Sequence, residues 1–152
     1  SVAGLCLSGT GQVYVSEPAR PAADEVNRVE AGRDYGWPPP ASGSRAGTAA
    51  PDRTLPAATA GVGGCAVMER GLFVTALMGK RLWALPLDSG GRLGSPSDYL
   101  VGAYGRLRTV VAGPDGALWL TTSNKDGQGR PTAQDDRVIR ILPPAGSTNS
   151  PA

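Results

Sequence analysis

Histidine is absent from all 152 residues. That removes the commonest general base and the imidazole metal ligand, so any step needing an imidazole must be supplied from outside this chain. Lysine occurs twice against thirteen arginines, and 15 basic residues against 13 acidic ones leave a net charge of +2. The basic residues are scattered and form no stripe, so nucleic acid is not an expected partner. No apolar run approaches the roughly 18 residues needed to span a bilayer. The first residues show no charged segment followed by an apolar core, so no signal peptide is visible. The sequence opens at Ser1 directly before a strand-like run, which suggests that the domain begins upstream.

Turn chemistry, by contrast, is plentiful. There are 22 glycines and 14 prolines, and 40% of the residues are hydrophobic. Such a composition disfavours a helical bundle and fits many short strands joined by tight loops.

Three segments share one pattern: AGLCLSGTGQVYVS at 3–16, GGCAVMERGLFVT at 63–75 and RTVVAGPDGALWLT at 108–121. Each has a short apolar strand, a turn of three to five residues ending in Gly11, Gly71 or Gly116, and then an alternating apolar strand. Turn residues between alternating runs predict a β-hairpin, and GPDG is a strong turn signal. A further alternating element follows each hairpin, beginning at Asp24, Lys80 and Asp135, as a half-buried outer strand should. The glycine spacings of 60 and 45 residues suit propeller blades with variable loops.

The expected architecture is therefore all-β: three blades of a β-propeller, an incomplete ring with two open apolar faces. A small β-sandwich is the competing arrangement. The blades fall at about 1–37, 61–91 and 104–142. Residues 38–60, rich in Pro, Ala, Gly and Ser, read as an inserted surface loop. Residues 143–152 read as a polar, disordered tail.

Longer strings carry a family resemblance. DEVNRVEAGRDYGWP at 24–38, LFVTALMGKRLWALPLD at 72–88 and YGRLRTVVAGPDGALWLTTSNKDGQGRP at 104–131 occur in that order. Together they resemble the C-terminal half of the glucose/sorbosone dehydrogenase family, which includes soluble aldose sugar dehydrogenases. The resemblance implies a six-bladed propeller whose first blades lie upstream as the partner of this piece. It also implies pyrroloquinoline quinone on the top face near the ring axis, held by basic side chains and a calcium ion, with a catalytic His in the N-terminal half.

Arg106 and Arg108 match the family's pair of arginines that meet the cofactor carboxylates. A guanidinium binds a carboxylate through parallel hydrogen bonds and stays charged at any working pH. A spacing of two on a strand sends both side chains to one face. Pairing with acidic loops at the channel mouth is the plainer alternative. Met78 stands where quinone-binding members carry a basic residue, and Lys80 belongs to the following turn. The calcium-binding backbone carbonyls fall by alignment on Ala19 and Arg20, between Pro18 and Pro21. Asp24 and Glu25 are adjacent, so they point to opposite faces, and read as a solvated strand start. The loop NKDGQGRPTAQDD at 124–136 does not have the spacing of an EF-hand and reads as a polar rim connection.

Cys6 and Cys65 are the only cysteines. Aligned on the hairpin glycines, Cys65 lies one residue earlier in its strand than Cys6, and one residue of offset reverses side-chain direction. Adjacent blades pack front to back, so the thiols can face each other across the boundary. A disulfide would imply an oxidising, extracytoplasmic location. Two small buried thiols are the other reading. The family implies removal of a hydride from the anomeric carbon of an aldose, with no activity expected of this chain alone. A non-catalytic extracytoplasmic propeller, serving as a binding or envelope scaffold, is the alternative.

Overall fold

The computed structural model describes residues 1–19, 23–37 and 46–143. It contains eleven strands in three antiparallel sheets. The first sheet is β1 (Gly4–Leu7), β2 (Val13–Glu17), β3 (Asp24–Val29) and β4 (Arg53–Leu55), in that spatial order. The second is β5 (Val62–Met68), β6 (Gly71–Ala76), β7 (Arg81–Pro86) and β8 (Ser97–Tyr99). The third has β9 (Leu107–Ala112), β10 (Leu118–Thr122) and β11 (Val138–Ile141). Each is a propeller blade running outward from its first strand. The innermost strands β1, β5 and β9 lie side by side, and no ring is closed. The only helical segment among the described residues is a 3-10 turn at Ala57–Thr59.

Sheet stacking follows from alternation. In β6, GLFVTA is buried along its whole length because both faces are covered. Leu72 and Val74 face the first blade in a core with Tyr14, Val26 and Leu55. Phe73 faces the third in a core with Val110, Leu118 and Leu120. Cutting Phe73 back to Ala would cost about 3–5 kcal/mol, because packed neighbours relax only partly into the space left.

One device recurs in every second strand: an aromatic residue, then a hydroxyl residue two positions on. Tyr14 and Ser16, Phe73 and Thr75, and Trp119 and Thr121 occupy these positions. Ser16 Oγ donates to Gly63 O at 2.8 Å, and Thr75 Oγ1 donates to Arg108 O at 2.8 Å with Gly64 O at 3.1 Å. Each hydroxyl thus satisfies a carbonyl on the next blade's innermost strand. The close approach depends on glycine, since a Cβ on Gly63 would lie 2.4 Å from Arg108 O. In the third blade the device faces outward. Trp119 is 38% exposed, whereas Tyr14 is at 1% and Phe73 at 0%. At the other end Leu5 (69%) and Leu7 (61%) project from β1. The two end faces are therefore apolar and lack a neighbouring blade.

The structure corrects the sequence reading in several places. Residues 53–55, assigned to the inserted loop, form β4, because the β3 edge has backbone groups to satisfy: Glu25 pairs with Thr54 and Val26 with Arg53. Residues 38–45 of that loop and the tail from 144 lie outside the described residues. The second blade runs on to β8, beyond residue 91. Its hairpin turn is only Glu69–Arg70, since Met68 already pairs with Gly71. Glu69 takes the left-handed conformation there (φ 51°), while Gly11 (φ 83°) and Gly116 (φ 73°) take it in the other hairpins.

Asp24 is no solvated strand start. It is fully buried. Its Oδ2 accepts the N–H groups of Gly61 (2.7 Å) and Val62 (2.8 Å), and its Oδ1 accepts Ala19 N–H (3.1 Å). Three backbone donors at a blade junction need an acceptor, and this carboxylate supplies it. Glu25 on the other face is half-buried and accepts Asn27 Nδ2 at 3.4 Å.

Cys6 and Cys65 form a disulfide with a Cα–Cα distance of 5.7 Å. It joins the innermost strands of blades one and two. The one-residue offset is visible in the pairing, where Cys6 opposes Tyr14 on β2 but Cys65 opposes Val74 on β6. Tyr14 faces the second blade and Val74 the first.

Candidate functional site

The innermost strands border a groove of about 500 Å³, lined by Gly4, Gly63, Cys65, Arg108 and Thr109 among others. Its glycines leave the backbone open, and the charged group on its wall is Arg108. The top of the groove is the end where β5 and β9 begin and the β6–β7 turn lies.

Arg106 stands just before β9 and is 6% exposed. Its backbone N–H donates to Asn124 Oδ1 at 2.8 Å. Its guanidinium reaches Asp126 Oδ2 through Nε (3.0 Å) and Nη2 (2.9 Å), and Leu77 O through Nη1 (3.4 Å). Arg108 reaches the same oxygen through Nη2 at 3.3 Å, as does Ser123 Oγ at 3.3 Å. One carboxylate oxygen therefore gathers both arginines. Asp126 Oδ1 meanwhile accepts Gln128 N–H at 3.0 Å. These donors hold the Asp126 carboxyl below the ordinary range, with the Gln128 N–H first and the Arg106 guanidinium next.

The two arginines differ in freedom. Arg106 is tied on three sides and buried, and acts as a strut between the second and third blades. Arg108 has one contact to Asp126, and its side chain is 51% exposed. It keeps most of its five N–H donors available to an anion in the groove.

The loop at 124–136 is a hydrogen-bonded hub. Asn124 and Asp135 are buried. Asn124 Nδ2 donates to Tyr104 O and Asp135 Oδ1, each at 2.9 Å. Asp135 Oδ2 accepts Thr132 N–H at 2.7 Å and Thr132 Oγ1–H at 3.0 Å. The Thr132 N–H is the main cause holding the Asp135 carboxyl down to about 2, followed by the Asn124 amide. Asp136 Oδ1 accepts Asn124 N–H at 2.5 Å. These bonds fix Asn124, which in turn fixes the backbone of Arg106. Sequence reading missed Asp126 and Asn124, although the asparagine–lysine–aspartate run lay inside the resembling string.

Met78 lies in the β6–β7 turn beside Leu77, whose carbonyl holds Arg106, and is 41% exposed. Lys80 is in the same turn (φ 51°) and lines a separate cleft with Tyr104, Asn124 and Arg137. At the calcium positions, Ala19 is tied to Asp24 by its N–H, while Arg20 lies outside the described residues. No group of three His, Cys, Asp or Glu that could hold a metal occurs among the described residues.

The stacked sheets define part of a β-propeller, with a pair of arginines sharing Asp126 at the mouth of its groove. Residues 1–131 match the glucose / sorbosone dehydrogenase family, and the chain belongs to that family. It is similar to the PQQ-bound aldose sugar dehydrogenase of Streptomyces coelicolor, at 35% identity and a TM-score of 0.83, covering 92% of this chain and 42% of that one. It is also similar to a Thermus thermophilus putative oxidoreductase (glucose dehydrogenase), at 37% identity and 0.78, covering 91% and 44%. The apo soluble aldose sugar dehydrogenase of Escherichia coli is 25% identical with a TM-score of 0.66, covering 78% and 40%. The chain thus spans less than half the length of these solved relatives. No curated protein gives a significant match.

Proposed function

We propose that this chain supplies the C-terminal three blades of a quinone-dependent sugar oxidoreductase with a six-bladed ring. The observation that carries the reading is Arg108, exposed on the groove wall and backed by the Arg106–Asp126 pair. A carboxylate of pyrroloquinoline quinone fits the donors that Arg108 leaves open, because a guanidinium recognises carboxylates through two parallel hydrogen bonds. The bound quinone would supply the two-electron acceptor for oxidation of an aldose. Arg106 would orient Arg108 by sharing Asp126 with it, and Asn124 would hold Arg106 in place. The general base would come from upstream blades, since this chain has no histidine.

Calcium, at the carbonyls of Ala19 and Arg20, is what the family resemblance implies. The disulfide supports an extracytoplasmic location, because such bonds persist in oxidising compartments. No helix among the described residues is long and apolar enough to cross a membrane. The outward-facing Trp119 and Thr121 support the presence of further blades, since their counterparts in the first two blades each engage a following strand.

Titration of pyrroloquinoline quinone into the protein with its upstream blades tests the proposal. Arg108→Ala should weaken binding about ten- to a hundredfold, as loss of one charge-assisted contact implies. A second reading, a non-catalytic scaffold, is favoured by the apolar Met78 at a position usually basic. Under that reading the natural sequence gives no binding heat at micromolar quinone, and Met78→Lys restores weak binding.

A further inference from the structure

At the opposite end of the blades, away from the groove mouth, four arginines converge. Arg28, Arg33 and Arg53 of the first blade and Arg92 of the second blade's outer loop line a cleft of about 420 Å³. The acidic residues in its wall are Glu30 and Asp52. The charge of Asp88 also acts on Arg92 and Arg28, so among the described residues four guanidinium groups face three carboxylates, and the cleft stays net positive.

The acids are already engaged. Glu30 is bonded by Arg28 Nη2 and by Arg33 Nη1 at 2.9 Å, and the Arg28 bond is the main cause holding its carboxyl below the ordinary range. Asp52 Oδ2 accepts the backbone N–H of Arg28 at 2.7 Å. Two of the guanidiniums are held in place by backbone of the second blade and its connecting loop. Arg28 Nη1 donates to Gly90 O at 2.8 Å, and Arg53 Nε donates to Gly94 O at 3.0 Å. Arg53 Nη1 also donates to Asp52 O at 2.6 Å. Arg92 is exposed, and its guanidinium makes no hydrogen bond or ion pair among the described residues. The Asp88 carboxylate in its turn is taken up by the N–H groups of Gly90 and Arg92, each at 2.8 Å.

We propose that this cleft binds a phosphate group, carried free or on a small ester. A net positive cleft attracts a phosphate anion, and guanidinium forks suit its oxygens. Arg28 and Arg53 are held by bonds that leave other donors open, so little ordering is lost on binding. The volume lies in the range of small-molecule sites and exceeds that of phosphate alone, leaving space for a short organic group. Because the arginines come from two blades, the ligand bridges the blade junction and stabilises it by mass action. The site is distinct from the groove lined by Arg108.

The test is calorimetric titration of the whole 152-residue chain with inorganic phosphate, glycerol 3-phosphate and neutral glycerol at low salt. Saturable binding of both phosphates, none of glycerol, and a rise in melting temperature with phosphate are expected. Arg92→Gln, at an exposed side chain that makes no hydrogen bond or ion pair among the described residues, should weaken binding about fivefold, the value of a partly exposed charge contact. Arg140→Gln, outside the cleft, should leave binding unchanged and so controls for general attraction. The proposal is overturned if no saturable binding is seen at tens of millimolar. It is also overturned if Arg92→Gln has no effect, or if both variants weaken binding equally. Binding to phosphatidylglycerol vesicles but to neither soluble phosphate would replace it with a lipid-surface reading. Arg33→Gln supplies a second variant should Arg92→Gln fold poorly.

Discussion

Opening the Cys6–Cys65 bridge should destabilise this chain more than any conservative surface change. The two cysteines are 59 residues apart in sequence. Closing a loop of that length in the unfolded chain lowers its entropy enough to be worth about 4 kcal/mol at 25 °C. The whole stability of an ordinary domain is about 5–15 kcal/mol, and here two apolar faces lie open, so the bridge carries a large fraction. For a chain of this size about 4 kcal/mol corresponds to roughly 12 °C in melting temperature. The bridge joins innermost strands, so its loss also frees the first blade to separate from the second. The assay is urea unfolding followed by tryptophan fluorescence, comparing oxidised protein, reduced protein and the double variant Cys6→Ala, Cys65→Ala. Reduced protein and variant should both show a midpoint lowered to match the loss. Two results would refute the reasoning: a midpoint unchanged on reduction, or two thiols alkylated freely in the native oxidised preparation.

Further outcomes follow from the blade junctions and the hub at 124–136. Thr75→Val should cost about 1–2 kcal/mol, because Arg108 O and Gly64 O lose a donor while shape is kept; Thr121→Val at the equivalent outward position should cost nothing measurable in this chain. The Asp135 carboxyl is depressed to about 2 in the folded state, below its unfolded value near 3.9. Its stabilisation is therefore fully present above about pH 4 and lost as pH falls through about 2. Urea midpoints measured across that window should fall less steeply for Asp135→Asn than for the natural chain. The chain alone should not turn over glucose with added quinone and calcium, having no histidine, and a dye-linked assay showing turnover would contradict that.

Much of the fold was legible in local pattern. Alternation marked nine of the eleven strands or their immediate neighbourhood, β4 and β8 excepted, because a sheet with covered faces needs a period of two. The one-residue offset between Cys6 and Cys65 carried their facing directions for the same reason. The aromatic and hydroxyl pair is the same in every second strand, and only burial in the structure separates the outward Trp119 from Tyr14 and Phe73. Other features carry no such signal. β4 lies in a proline- and alanine-rich stretch and exists because the β3 edge offers pairing. Glu69 fills a left-handed turn position without being glycine, because flanking strands two residues apart impose the turn.

By itself, then, the sequence determined the strand repeat, the hairpins, the open-ended blade count and the absence of an imidazole. These depend on side-chain periodicity, turn propensity and composition, all local properties of the chain. Only the tertiary structure decided that Asp24 is a buried acceptor at a blade junction, and that Asp126 gathers Arg106 and Arg108. The same holds for Arg28 and Arg92, which meet across two blades although 64 positions separate them in sequence. Charge and burial at such places depend on which backbone groups and side chains neighbouring blades bring together, and no local pattern in the chain encodes that.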